Sequence, residues 1–370
     1  MTSENKIGNF QIITITFFLA HVTAIGLCTR VLMESGKNFS WLAALIGGVL
    51  GLLPLLLIIY INNKKGELSI TELNMKIFGK IIGNIINFII LAFILYFSVK
   101  ALGIISNFFV SQFSVETPIL AIIILITLVI IQAIFCGFET IARVIQIFFV
   151  ITIIMYIIII VGLFPQLEIS NTFPLLEAGT LTIIKSIILF FIYTSSLLIF
   201  ILIIPITKVS NPNKVGKSMV IGYLISIFFN VLTVLFPTLI FGTNLMVLYE
   251  CPAYSSIKKV KLFGFLDRLE NILVSVKFFP VIFLLIILIY YFSQSIKQTF
   301  KIKSKKIMSA IFIIVPIILG VLAKDGFANQ IEADHWFMDT APFFIGGVCL
   351  GIPIIIFIRL LFYKKIKPLH

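Results

Sequence analysis

Phe17-Phe18-Leu19-Ala20-His21-Val22-Thr23-Ala24-Ile25-Gly26-Leu27-Cys28-Thr29-Arg30 lies inside the first long apolar run of the chain. A helix crossing lipid there favours Leu, Ile, Val and Phe. Instead the stretch carries an imidazole (His21), two hydroxyls (Thr23, Thr29), a glycine (Gly26) and a guanidinium (Arg30). Ionisable groups at membrane depth are costly unless they face protein, water or a ligand. Two readings fit. In the first, the helix is interrupted over Val22, Thr23, Ala24, Ile25 and Gly26, and its freed N–H and C=O groups hold a small zwitterion near the bilayer midplane. In the second, the helix is continuous and its threonine and glycine mark a close helix contact.

Composition sets the class around this stretch. Hydrophobic residues make up 60% of the chain, charged residues 12%, and the mean hydropathy is +1.19. Ordinary globular domains run at about 45–50% apolar and about 25% charged. The expected fold is therefore all-α and polytopic, a single integral membrane domain over residues 1–370. The net charge of +13 sits in short loops between apolar runs, which is the positive-inside pattern and speaks against a nucleic-acid partner. Cys28, Cys136, Cys251 and Cys349 are far apart, so neither a metal site nor a disulfide framework is indicated. The first apolar run is long and lacks a small-residue cleavage site, and so reads as a retained helix.

A span needs about 20 apolar residues. Ten runs qualify: 9–33, 41–61, 82–109, 118–136, 143–163, 182–204, 219–241, 271–293, 307–323 and 341–362. With the N-terminus inside, the inner segments hold 17 Lys and Arg and the outer ones 6, so both termini are expected to be cytoplasmic. In the inner segment 62–80, Ile70, Leu73, Ile77 and Phe78 recur at helical spacing opposite Lys76 and Lys80. This predicts a short amphipathic helix on the inner leaflet.

Polar residues inside the other spans carry the chemistry. The third span has Tyr96 and Lys100; the sixth has Tyr193, Thr194, Ser195 and Ser196 in mid-run; the eighth has Ser275 and Lys277. Interruptions in spans one and six fall five helices apart, which points to two inverted five-helix halves around a central site. Each polar group also has a plainer role. Lys100 and Lys277 can snorkel to an interface, and the Tyr-Thr-Ser-Ser stretch can bond helix to helix. No P-loop, HExxH, GxSxG or credible triad is present, so no catalytic residue and no cofactor is assigned and the chain is read as a non-enzyme.

One further motif narrows the reading. Gly137-Phe138-Glu139-Thr140-Ile141-Ala142-Arg143, placed in the inner loop before the fifth span, resembles the Gly-x-Glu-x-Ile-Ala-Arg motif of spore germination permeases. These are the B subunits of germinant receptors, within the amino acid–polyamine–organocation superfamily. Ile7-x-x-x-Gln11, Trp41 with Gly47, Gly48 and Gly51, Glu116-Thr117-Pro118, and Pro205 are similar to the family in order and spacing. So is Phe265-Leu266-Asp267-Arg268-Leu269-Glu270. The chain departs from the superfamily at Val22-Thr23-Ala24-Ile25, where Gly-Ser/Thr-Gly-Ile is usual, and at Ser196, where relatives often carry glutamate. That carboxylate's role is not carried over.

The resemblance implies a leucine-transporter-like fold of ten helices, a 5+5 inverted repeat with helices 1 and 6 broken. It implies a small-molecule site between spans 1, 3, 6 and 8, with an amino acid as the expected ligand. It further implies a germinant-sensing subunit in the spore inner membrane, partnered by receptor A and C subunits. Gly137, Glu139, Arg143, Arg268 and Glu270 would then form the inner gate. Two alternatives stand beside sensing: a proton- or cation-linked amino acid transporter, with Lys277 and Lys100 as coupling residues, and a channel-forming subunit.

Overall fold

The computed structural model describes residues 7–23, 29–113, 116–204, 209–246, 248–249, 251–260, 275–327 and 329–363. Helices dominate it. Among the described residues, nine apolar helical stretches are long enough to cross a bilayer, and Asn9–Val22 is a shorter apolar helix. The first of the nine runs from Thr29 to Lys65 through a corner at Lys37, whose φ is 47°. That corner separates the second half of the first span from the second span.

Taken with Asn9–Val22, the described helices make ten spans. The first is divided into α1 (Asn9–Val22) and α2 (Thr29–Gly36), and the second is α3 (Ser40–Leu50) with α4 (Leu52–Lys65). A short helix, α5 (Ile70–Phe78), leads to the third span, α6 (Lys80–Phe113). The fourth and fifth spans are α7 (Ile119–Cys136) and α8 (Phe138–Leu163). The sixth begins as α9 (Thr180–Ser195) and continues as a 3₁₀ helix over Ser196–Ile203. Then follow the seventh span, α10 (Val215–Met246), the short α11 (Pro252–Ile257), and the eighth and ninth spans, α12 (Ser275–Thr299) and α13 (Lys305–Ala323). The tenth is preceded by α14 (Gln330–His335) and comprises α15 (Ala341–Cys349) and α16 (Gly351–Phe362). Below, the face holding Ile7 is the near face and the other the far face.

Packing repeats after five spans. Span 1 lies closely along span 7, and span 2 along span 6; advancing each number by five, and returning to the start after ten, turns one pair into the other. Span 1 also touches span 5 as span 6 touches span 10, while spans 3 and 8, and 4 and 9, pair with each other. An odd number of crossings makes the second half inverted. Both of the close crossings need a missing side chain. A Cβ on Gly47 of span 2 would lie 2.7 Å from the Ile187 carbonyl oxygen of span 6, and one on Gly222 of span 7 would lie 2.3 Å from the Ile13 carbonyl oxygen of span 1. Such close backbone approach is the usual use of glycine between membrane helices.

Two local predictions change. Helix α5 does carry its apolar face on Ile70, Leu73 and Ile77, and Ser69 and Glu72 form its capping box. That face is buried in protein rather than laid on the leaflet. Thr71 Oγ1 donates to Ser295 Oγ of span 8 (3.0 Å) and Asn74 Nδ2 to Asn87 Oδ1 of span 3 (2.8 Å). The Gly-x-Glu-x-Ile-Ala-Arg motif is likewise helix rather than loop. Span 4 ends at Cys136, Gly137 turns the chain with φ 83°, and α8 begins at Phe138. A positive φ favours glycine at that position.

Candidate functional site

Helix α1 runs to Val22, into the polar stretch singled out in the sequence. Thr23 follows α1 with helical φ and ψ (−70°, −45°) and is fully buried, as is Val22; Ala24, Ile25 and Gly26 lie outside the described residues. In the last turn of α1, Ala20 O accepts from Asn230 Nδ2 of span 7 (3.2 Å). A second arrangement fixes the same turn. His21 stacks on Phe17 with ring centroids 4.8 Å apart, and its Nε2 lies 2.9 Å from Tyr156 Oη of span 5. Tyr156 Oη is also 2.9 Å from Thr233 Oγ1 of span 7. The end of α1 is thus held by polar side chains from two other spans.

The sixth span changes its winding at the predicted polar stretch. Thr194 Oγ1 donates to Phe190 O (2.7 Å) and Ser195 Oγ to Phe191 O (2.5 Å). Bonds of this kind back onto the preceding turn loosen and bend a helix. Immediately afterwards α-helix gives way to 3₁₀ at Ser196, which is fully buried and whose Oγ has no hydrogen-bond partner. Eight residues of 3₁₀ is long for that form, and such runs often mark hinges. Tyr193 Oη is committed elsewhere, donating to Phe337 O of the turn before span 10.

The near end of the 3₁₀ stretch is tied by a residue counted above with the inner loops. Lys65, 1% exposed, donates from Nζ to Leu202 O and to Ile204 O (2.8 Å). A cation at a helix C-terminus satisfies orphan carbonyls and complements the dipole. Beyond it opens a polar cavity of about 480 Å³, bounded by Ile203 and Ile204, by Gly137 and Glu139, and by Ser295 and Gln298 of span 8. Glu139, which lines the cavity, pairs with Arg143 one turn on. Arg268 and Glu270 lie outside the described residues.

The far side is sealed by charge. Arg30 of α2 pairs with Asp334 of α14 (3.2 Å), and Gln330 Nε2 donates to Asp334 Oδ1 (2.9 Å). Lys277 stands beside this knot, its Nζ 4.0 Å from the Phe108 ring centroid and 3.5 Å from Cys251 Sγ. Lys277 lines both the narrow space at the knot and a small cavity of about 40 Å³ whose opposite wall includes Tyr156 and Thr233. It therefore sits between the far face and the polar cluster on His21.

Not every candidate converges. Tyr96 is 43% exposed and packs on Trp336 and Phe344, away from the end of α1 and the change of winding in span 6. Lys100 donates to Gly326 O (2.5 Å) with its Nζ 4.0 Å from the Phe327 ring, an anchor near the far face. Ser275 begins α12, and its side chain lies outside the described residues. Asn230, Tyr156, Thr233, Asp334 and Lys65 are the site residues that the sequence reading passed over. The first three are polar groups within apolar runs, the same signal that singled out His21.

The inverted five-helix repeat, which sets the end of α1 beside the change of winding in span 6, has the fold of a solved transporter structure. The nucleobase-cation-symport-1 family transporter Mhp1, solved in a closed conformation with bromovinylhydantoin bound, superposes with a TM-score of 0.65 over 96% of this chain and 80% of its own, at 11% identity. The fold is the leucine-transporter type. In sequence, residues 6–327 match the model of a spore permease family described as spore germination protein. The chain belongs to that family. Bacillus subtilis (strain 168) spore germination protein YndE is 25% identical over 322 residues, 86% of each chain. Spore germination protein B2 of the same strain is 25% identical over 263 residues, 70% of this chain and 67% of its own. The family motif at Gly137 to Arg143 thus lies at the mouth of the near-face cavity, next to the tied end of span 6.

Proposed function

We propose that this membrane protein of spore germination is a germinant-sensing receptor subunit that binds a small molecule, an amino acid in the first instance, between the breaks of spans 1 and 6. The observation that carries this reading is Ser196. A buried hydroxyl without a partner calls for a ligand or a bound water; Ser40, Ser98 and Ser106 are others, and Ser196 is the one that falls where the helix changes form. Backbone N–H groups beyond the first break would take a carboxylate. The hydroxyls of Thr23 and Ser196 and the freed carbonyls would take an ammonium. Ligand that closes span 1 on span 6 must favour that state by a real difference in affinity. The shift would reach the receptor's A and C subunits through the near-face cavity, with the termini on the cytoplasmic side.

The deciding experiment is thermal unfolding of the purified chain across a panel of amino acids, with Ser196→Ala and Thr23→Val alongside. A ligand present at one hundred times its Kd stabilises by about 2.7 kcal/mol, readily seen as a raised melting temperature. The shift is expected in the parent chain and absent in Ser196→Ala. A ligand that stabilises both chains equally would remove the site from Ser196. A transport reading is favoured by one feature, the pairing of a charge-sealed far face with an open near-face cavity. Uptake of labelled amino acid by vesicles holding this chain alone would select it.

A further inference from the structure

On the flank of the bundle, at the near-face half of spans 4 and 5, lies a cleft of about 460 Å³ that the site described above does not use. Its walls are Leu128, Val129, Gln132 and Ala133 of span 4 and Val144 of span 5, and its floor is Phe283 and Ile286 of span 8; Gln132 Nε2 is turned to Cys136 Sγ of its own helix (3.9 Å). Water filling it at about 30 Å³ each would find almost no polar partner, and cavities of this kind stay dry. The medium around these helices is lipid hydrocarbon. We infer that the cleft binds one acyl chain of a phospholipid with an ethanolamine headgroup.

The headgroup follows from what the cleft adjoins. Cys136 and Thr140 line the cleft and also line the polar near-face cavity, so the apolar and polar spaces meet across these two residues. The polar side carries the carboxylates of Glu67 and Glu139, and Arg143, paired with Glu139, stands exposed one turn into α8. Carboxylates with a neighbouring guanidinium suit a group that offers a hydrogen-bonding ammonium together with a phosphate. A glycerol headgroup lacks the cation, and a choline has no N–H to donate. The tail would also touch the signalling core. Phe283 at the cleft floor packs on Phe18 of α1, ring centroids 5.3 Å apart, and on Phe148 of span 5 at the same distance. A chain in the cleft therefore bears on the helix that ends at Val22.

The test is fluorescence quenching by brominated acyl chains. Val129, 51% exposed on the cleft wall, is changed to Trp in a chain carrying Trp41→Phe and Trp336→Phe, reconstituted in phosphatidylcholine vesicles. A small added fraction of brominated ethanolamine lipid should quench several-fold more than the same fraction of brominated choline or glycerol lipid. Glu139→Gln with Glu67→Gln should abolish that preference. Ile124→Trp, on the lipid-facing side of the same helix, should show none. Equal quenching by all three headgroups at Val129→Trp overturns the proposal, and is also what a cleft reserved for a partner's helix would give. Independently, lipid extracted with the unmodified chain from a mixed membrane should be enriched in ethanolamine headgroups; bulk composition would again overturn it.

Discussion

Lys65 and Lys64 are adjacent and chemically identical, yet only one is tied into the bundle. Lys64 is exposed, whereas Lys65 is buried on two carbonyls at the end of span 6. Hydrogen bonds to a charged group are worth about 1.5–3 kcal/mol each, and losing one partner strands the other. Lys65→Met should lower the melting temperature in detergent by several degrees, while Lys64→Met leaves it unchanged; equal effects would reduce Lys65 to a surface charge. Ser196→Ala has the opposite sign. Removing an unpartnered buried hydroxyl should leave the ligand-free melting temperature level or slightly higher, even as the ligand response is lost. The sequence concealed Lys65, because a lysine closing an apolar run looks the same whether its ammonium turns to water or inward. Thr23 and Ser196 were legible, since a hydroxyl at membrane depth stands out against Leu and Ile.

Between elements, the close crossings and the far-face knot set the mechanics. Gly47→Val would push a side chain into the span 6 backbone, where Ile187 O would lie 2.7 Å from its Cβ. Overpacking typically costs about 1–3 kcal/mol. By contrast Gly137→Ala meets no neighbour within 4 Å and suffers only for its φ of 83°. Thermal melts should therefore rank Gly47→Val as the worse, and the reverse order would mean that spans 2 and 6 are free to separate. The knot predicts a change in accessibility. Arg30→Gln removes the pair with Asp334, and Cys251, now buried beside Lys277, should react several-fold faster with a membrane-impermeant thiol reagent, read at that residue by mass spectrometry. Helix α5 shows where element-level reading fails. Apolar periodicity reports that a face is buried without saying whether lipid or protein covers it. Thr71 and Asn74, polar beside that face, were the available sign of protein.

At the scale of the whole chain, the fold was the most legible property. Ten apolar runs and two interruptions five spans apart suffice for an inverted repeat, because the number of crossings between them fixes the inversion. The site was less legible, since Asn230, Tyr156 and Thr233 reach the end of α1 from spans remote in sequence. Orientation rests on 17 basic residues against 6. A cysteine at Lys301, in the loop after span 8, should be protected from an impermeant reagent in intact cells, and one at Lys324, after span 9, should be labelled. The opposite pattern would invert the protein.

The stretch Ser196–Ile203 also sets a length. Its eight residues, wound as 3₁₀ at about 2.0 Å per residue, cover about 16 Å; wound as α at 1.5 Å they would cover about 12 Å. The same residues can therefore be a long rod or a short one, differing by about 4 Å. Lys65 grips the near-face end of the long form. Rewinding would draw Leu202 and Ile204 back from its ammonium by more than a hydrogen bond's reach, so a small change at Ser196 would be delivered as a piston stroke at the near-face cavity.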